Sequence, residues 1–228
     1  RDPAHRAAWD AAFCLGSIAA TFAQGVTLGA LLQGISIEGR AYAGGWWEWL
    51  SPFSLLTGVS LVIGYALLGA CWLIWKTSPP LQEDARRFAR TALPLLIAAI
   101  AAVSLATPFL EARYYQRWFD WPGLIVAVPM PLLVAGAAFL LWRSLRRDTD
   151  WHPFLWALSL FLLSMIGLSV AFCPAVTPGR LSIWQASAPE ESQLFMLVGA
   201  GVLIPIILAY AAWAYWVFRG KVGEEGYH

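Results

Sequence analysis

Asp10, Cys14, Ser17, Thr21 and Gln24 recur at steps of four, three, four and three residues inside a long apolar run. On a helix that spacing puts all five on one face. Arg6 stands one turn before Asp10, and Gln33 follows near the far end, slightly off the stripe. A carboxylate at the mouth of a file of hydroxyl and amide groups suits a hydrated path that carries protons along the helix. The same pattern suits a purely structural role. Ser, Thr and Gln hydrogen-bond between membrane helices, and Arg6 with Asp10 can be an ordinary i,i+4 pair. Both readings stand on the residues alone.

A second polar cluster holds Thr177, Pro178, Arg180, Ser182, Trp184, Gln185, Glu190, Glu191, Ser192 and Gln193. It reads as an interfacial loop, with Ser192 a candidate helix cap. Arg40, Glu48 and the Trp46-Trp47 pair form a comparable polar loop earlier in the chain. The three His residues, His5, His152 and His228, stand near ends or in loops, so no axial haem ligand is expected inside a bundle. Met130, Met165 and Met196 read as soft core fillers. Cys14, Cys71 and Cys173 are odd in number and sit in or beside apolar runs, which argues against a disulfide framework. No metal site, catalytic triad, CxxC pair or nucleotide-binding motif is expected, so an autonomous catalytic site has no support.

The elements that must carry these residues follow from composition. Of 228 residues, 59% are hydrophobic and 13% charged. A soluble domain carries about 25% charge, so a soluble globule and a disordered chain are both excluded. A net charge of +1 with no free basic block argues against a nucleic-acid partner. Six apolar segments stand out: A (about 11–35), B (53–75), C (89–109), D (122–142), E (153–173) and F (193–218). Each suffices to cross a hydrocarbon core of about 30 Å as a helix. The expected fold is an all-α, polytopic transmembrane helix bundle forming a single domain over 1–228. The stretch Lys76–Arg90, with Pro79-Pro80, reads as an exposed connection.

Lys and Arg sort by side, eleven against four. Arg40, Arg113, Arg117 and Arg180 make up the smaller set, so both ends of the chain are expected in the cytoplasm. Most of the fourteen Trp residues fall near proposed span ends, as interfacial belts do. The first residue is Arg1 and no signal peptide precedes segment A.

Three blocks carry a resemblance. Arg6-Ala-Ala-Trp9-Asp10, then Gly16-Ser17 and Gln24-Gly25-Val-Thr-Leu-Gly29, form the first. Trp49-Leu-Ser-Pro52-Phe53-Ser-Leu-Leu-Thr-Gly58, continuing to Tyr65-Ala-Leu-Leu-Gly69-Ala-Cys-Trp72-Leu, forms the second. Ser182-Ile-Trp184-Gln185-Ala186, Ser192-Gln193, Ile204-Pro205 through Tyr210, Tyr215 through Val222 and the tail Gly226-Tyr227-His228 form the third. In this order the blocks resemble subunit II of the cytochrome bd quinol oxidases. The resemblance implies about eight spans of ~20 residues in a full subunit, so an N-terminal part is expected to be missing. It implies a bacterial inner-membrane complex that oxidises quinol and reduces O2 to water. It also implies a partner, subunit I, that carries haems of b and d type, while this chain binds none itself and contacts a quinone or lipid. Arg6, Asp10, Ser17, Thr21 and Gln24 are then candidates for proton uptake, and Arg6 with Trp9 for quinone or lipid contact. Family members often carry an acid where this chain has Gln185, so no proton role is carried to that position. A secondary transporter or permease is the alternative, weakened because halves A–C and D–F show no repeat.

Overall fold

The computed structural model describes residues 3–38, 41–110, 114–116, 121, 124–173, 175–177 and 181–221. Arg40, Arg113, Arg117, Trp118, Pro178, Arg180 and the tail Gly226-Tyr227-His228 lie outside the described residues. Helix α1 runs Pro3–Gln33 and stops at Gly34, whose φ of 82° ends the helix in a conformation that suits glycine. A two-stranded hairpin, β1 (Ile37–Glu38) with β2 (Ala41–Tyr42), leads to α2 (Pro52–Lys76). Helix α3 (Leu81–Ala106) follows, closed by a 3-10 turn over Thr107–Phe109. Next come α4 (Leu124–Ala127), α5 (Pro129–Arg146) and α6 (His152–Phe172). A second hairpin, β3 (Ala175–Thr177) with β4 (Leu181–Ser182), precedes α7 (Ile183–Ala186) and α8 (Glu190–Val217).

Five helices among the described residues are long and apolar enough to cross a membrane: α1, α2, α3, α6 and α8. The sixth expected span, segment D, is a helical path from 124 to 146 in two pieces rather than one long helix. The cause is local. Pro129 and Pro131 have no N–H to give to carbonyls four residues back, although Val128 keeps helical dihedrals of −79° and −47°. A second expectation needs correcting. Lys76–Arg90 is not an exposed connection; only Thr77–Pro80 link α2 to α3. Glu83 and Asp84 suit the positive N-terminal end of α3. Ala85, Ala89 and Ala92 bury one face, while the charges cover the other.

Helices α1 and α2, and α3 and α5, cross antiparallel, while α2 and α8 run in the same direction. The hairpin end of α1 meets the start of α2, and the last turn of α2 meets the last turn of α8. The start of α3 meets the end of α5. The molecule thus has a hairpin end and a basic end. Its main core joins Leu67, Ile74, Leu93, Leu141, Leu145 and Leu160 with seven alanines of α2, α3, α5 and α6. Lipid is as apolar as leucine, so transfer from water does not drive this packing; small residues that let backbones approach do.

Helices α1 and α2 show that logic most closely. A Cβ on Gly25 would stand 2.7 Å from Gly58 Cα and 2.7 Å from Thr57 O. Thr57 Oγ1 donates to Gly25 O at 2.8 Å across the buried crossing. Ser51 caps α2: its hydroxyl accepts from Ser54 N at 3.0 Å, and the Ser54 hydroxyl accepts from Ser51 N at 2.9 Å. The Ser51 hydroxyl also donates to the Gln33 side chain, tying the end of α1 to the start of α2.

Candidate functional site

Only the second half of α1 is packed. Gly25, Val26, Gly29, Ala30 and Leu32 are buried, whereas every described residue from 5 to 20 is exposed. The first half of α1 therefore stands clear of the rest of this chain. It carries the candidate stripe. Arg6, Asp10, Cys14, Ser17 and Gln24 are exposed, and Thr21 is half-buried. From Asp10 to Gln24 the file rises about 21 Å, most of the thickness of a hydrocarbon core.

The structure places these residues on one helix, and among the described residues no side chain of another element hydrogen-bonds or ion-pairs with them. Among the described residues no ion pair joins Arg6 to Asp10, and the side chains of Asp10, Thr21 and Gln24 make no hydrogen bond. The Ser17 hydroxyl donates to Phe13 O at 2.8 Å within its own helix, which leaves its oxygen free to accept. Trp9 and Phe13, 75% and 80% exposed, flank the stripe. An open groove lies between α2 and α3, about 360 Å³ in volume and lined by Ala66, Gly69, Leu73, Leu81, Asp84 and Phe88 among others.

The hairpin end holds a fastened polar turn. Ser36 Oγ donates to Glu48 Oε1 at 2.5 Å. The Tyr42 hydroxyl lies 3.0 Å from Glu48 Oε2 and 2.8 Å from Gly45 O. Desolvation, then the hydrogen bond and negative charge of Glu48, push the Tyr42 phenol above its ordinary value. Trp46 and Trp47 project outward, 92% and 71% exposed. In the second polar loop, Ser182 and Gln185 form a capping box on α7, which gives Gln185 a structural task. Ser192 does not cap α8. That helix begins at Glu190, with Pro189 at the cap position, and Ser192 lies inside its first turn. The proline before Glu190 moved the start three residues upstream of the expected one.

The basic end contains the cluster that sequence reasoning missed. Lys76 is buried, and its ammonium donates to Phe218 O at 3.0 Å, against the negative C-terminal end of α8. It sits 5.3 and 4.8 Å from the ring centres of Trp72 and Trp75. Tyr215 of α8 meets Trp72 edge-on at 5.9 Å. Lys221 pairs with Asp150 at 2.7 Å, and Gln82 donates to Asp150 at 3.0 Å. These contacts hold the end of α8, although no residue of that helix is buried. Lys76→Met keeps the apolar stem and removes the charge-assisted bond, worth about 1.5–3 kcal/mol. Faster amide exchange in residues 214–221 with α2 unchanged is the expected result; unchanged exchange would show that Lys76 does not hold α8.

His5 lies on the free half of α1 and His152 in the first turn of α6, both at the basic end. Met165 and Met196 are exposed on outward faces.

Comparison with known proteins covers nearly the whole chain. A family described as cytochrome bd terminal oxidase subunit II matches residues 1–218. Cytochrome bd-I ubiquinol oxidase subunit 2 of Escherichia coli K12 is 27% identical over 255 aligned positions, covering 95% of this chain and 66% of that protein. A probable cytochrome oxidase subunit 2 of Haemophilus influenzae is 24% identical, covering 97% of this chain and 67% of its own length. Cytochrome bd ubiquinol oxidase subunit 2 of Bacillus subtilis is 21% identical, covering 95% and 64%. The chain thus spans a little under two thirds of the Escherichia coli and Bacillus subtilis proteins.

Proposed function

The chain belongs to the cytochrome bd terminal oxidase subunit II family, and on that premise we propose that it is the haem-free subunit of a quinol-oxidising terminal oxidase in a bacterial inner membrane. The family match over residues 1–218 carries this reading. The reaction of the whole complex is oxidation of two quinols to quinones with reduction of one O2 to two waters. Haems of b and d type, when bound in a partner subunit I, supply the electron transfer and O2 chemistry. The placement of His5 and His152 near helix ends, not in the middle of a span, supports that division.

The exposed first half of α1 and α8, none of whose residues is buried, support an assembly with another membrane subunit. Within it, α1 serves proton uptake: Asp10 is the charged entrance at the basic, cytoplasmic end, and Ser17, Thr21 and Gln24 line the file. Arg6 and Trp9, exposed beside Asp10, contact a quinone or lipid. Purification through a tag on this chain tests the reading. A second, haem-bearing membrane subunit should accompany it, with b- and d-type absorption in the visible spectrum. A monodisperse chain without partner or haem absorption, combined with solute uptake into proteoliposomes, would overturn it in favour of a permease.

A further inference from the structure

Helix α5 ends in three arginines that the fold does not use. Arg143, Arg146 and Arg147 are exposed, and among the described residues none forms an ion pair, not even with the neighbouring Asp148. Cations at a helix C-terminus commonly satisfy its open carbonyls. Here that task is done from α3. Arg90 donates to Leu145 O at 2.7 and 3.2 Å, and Arg86 donates to Arg147 O at 2.8 Å and Thr149 O at 3.2 Å. The α5 guanidiniums are left facing outward.

Beneath them runs an exposed apolar track. The Arg146 guanidinium lies 4.0 Å from the centre of the Trp142 ring, and Trp142 meets Phe139 with ring centres 5.9 Å apart and planes tilted by 32°. Leu132, Gly136, Phe139 and Arg143 follow at steps of four, three and four, so they share a face. Leu132 and Phe139 are 67% and 55% exposed, and a Cβ on Gly136 would meet nothing within 4 Å. From Leu132 to Arg146 the track is about 21 Å long. It begins at a cationic, indole-floored cap and continues into the membrane.

The geometry points to a binding site for one anionic phospholipid on the outer face of α5. The phosphodiester takes the guanidiniums of Arg143, Arg146 and Arg147, whose planar forks match phosphate oxygens. The glycerol region rests on Trp142, and an acyl chain lies along Phe139, Gly136 and Leu132. A zwitterionic lipid fills the apolar track equally well and offers the same phosphodiester, but its headgroup ammonium adds a positive charge beside three guanidiniums, so selectivity resides in the headgroup. The site is separate from α1 and does not depend on the oxidase reading.

The test uses the purified protein with whatever subunits accompany it, reconstituted in phosphatidylcholine vesicles. Spin resonance compares a spin-labelled phosphatidylglycerol probe with a spin-labelled phosphatidylcholine probe, reading the motionally restricted fraction of each. The wild type should restrict the anionic probe preferentially, less so as salt rises. Replacing Arg143, Arg146 and Arg147 together by Gln should lower that preference about fivefold or more, since one interfacial cation alone contributes about that factor. Arg87→Gln, at a residue paired with Glu83 and Asp84, should leave it intact. An unchanged preference in the triple variant overturns the proposal, as does loss of an accompanying subunit without a change in lipid selectivity, which would mark a protein contact. Should the triple variant not accumulate, equal restriction of both probes by the wild type is sufficient to overturn it.

Discussion

Gly25→Val is expected to separate α1 from α2 and to prevent the subunit from accumulating in a stable form. The added Cβ would stand 2.7 Å from Gly58 Cα and Thr57 O, both backbone atoms that cannot swing aside. The crossing must widen, which costs about 1–3 kcal/mol for overpacking. It also loses the Thr57 Oγ1 bond to Gly25 O, now 2.8 Å, worth about 0.6 kcal/mol and at most about 1.7 in a membrane bundle. Between lipid-solvated helices no large transfer term offsets these losses. Together they reach about 2–4 kcal/mol, roughly a thirtyfold or greater shift against the packed state. Gly16→Val is the matched control: it adds the same side chain to the same helix, where a Cβ meets nothing within 4 Å. Membrane accumulation and the thermal unfolding midpoint in detergent should fall for Gly25→Val and not for Gly16→Val. Equal behaviour of the two would show that the close crossing is not what positions α1.

Segments B and E show what was readable before the structure. Their expected limits, 53–75 and 153–173, differ by one residue at each end from Pro52–Lys76 and His152–Phe172. Long apolar runs bounded by proline in the first turn leave little choice. The first two turns of α3 were missed because hydropathy penalises Glu83, Asp84, Arg86 and Arg87, although Glu83, Asp84 and Arg87 lie on a solvated helix face and Arg86 bonds the end of α5. The break in segment D depends on two missing N–H groups, which an apolarity count does not register. The candidate stripe on α1 was legible as a face, since spacing alone defines a face. Which neighbour that face meets was not legible, because a helix face is a one-body pattern and a contact is a pair. For the same reason the Lys76–Phe218 and Asp150–Lys221 ties were invisible: each joins residues tens of positions apart, with no local signature.

Asp10→Asn is expected to slow quinol-driven O2 consumption by about tenfold or more, a barrier increase of about 1.4 kcal/mol, while haem content and subunit composition stay unchanged. Asn keeps the size and hydrogen-bonding capacity of Asp10 but cannot carry the negative charge or exchange a proton. A structural role predicts a different magnitude. Arg6 and Asp10 are both exposed and make no ion pair in the structure; even when formed, an exposed i,i+4 pair contributes only about 0.2–0.5 kcal/mol. Losing it cannot produce a tenfold loss of turnover in an intact complex. Asp10 is also the single carboxylate of the stripe; hydroxyl and amide groups such as those of Ser17, Thr21 and Gln24 can pass a proton only through neighbouring water and cannot hold a charge. Asp10→Glu should therefore restore much of the rate and Ser17→Ala should cost less than Asp10→Asn. Normal turnover in Asp10→Asn would remove the proton role, and loss of haem together with the partner subunit would leave Asp10 a structural residue at the mouth of α1.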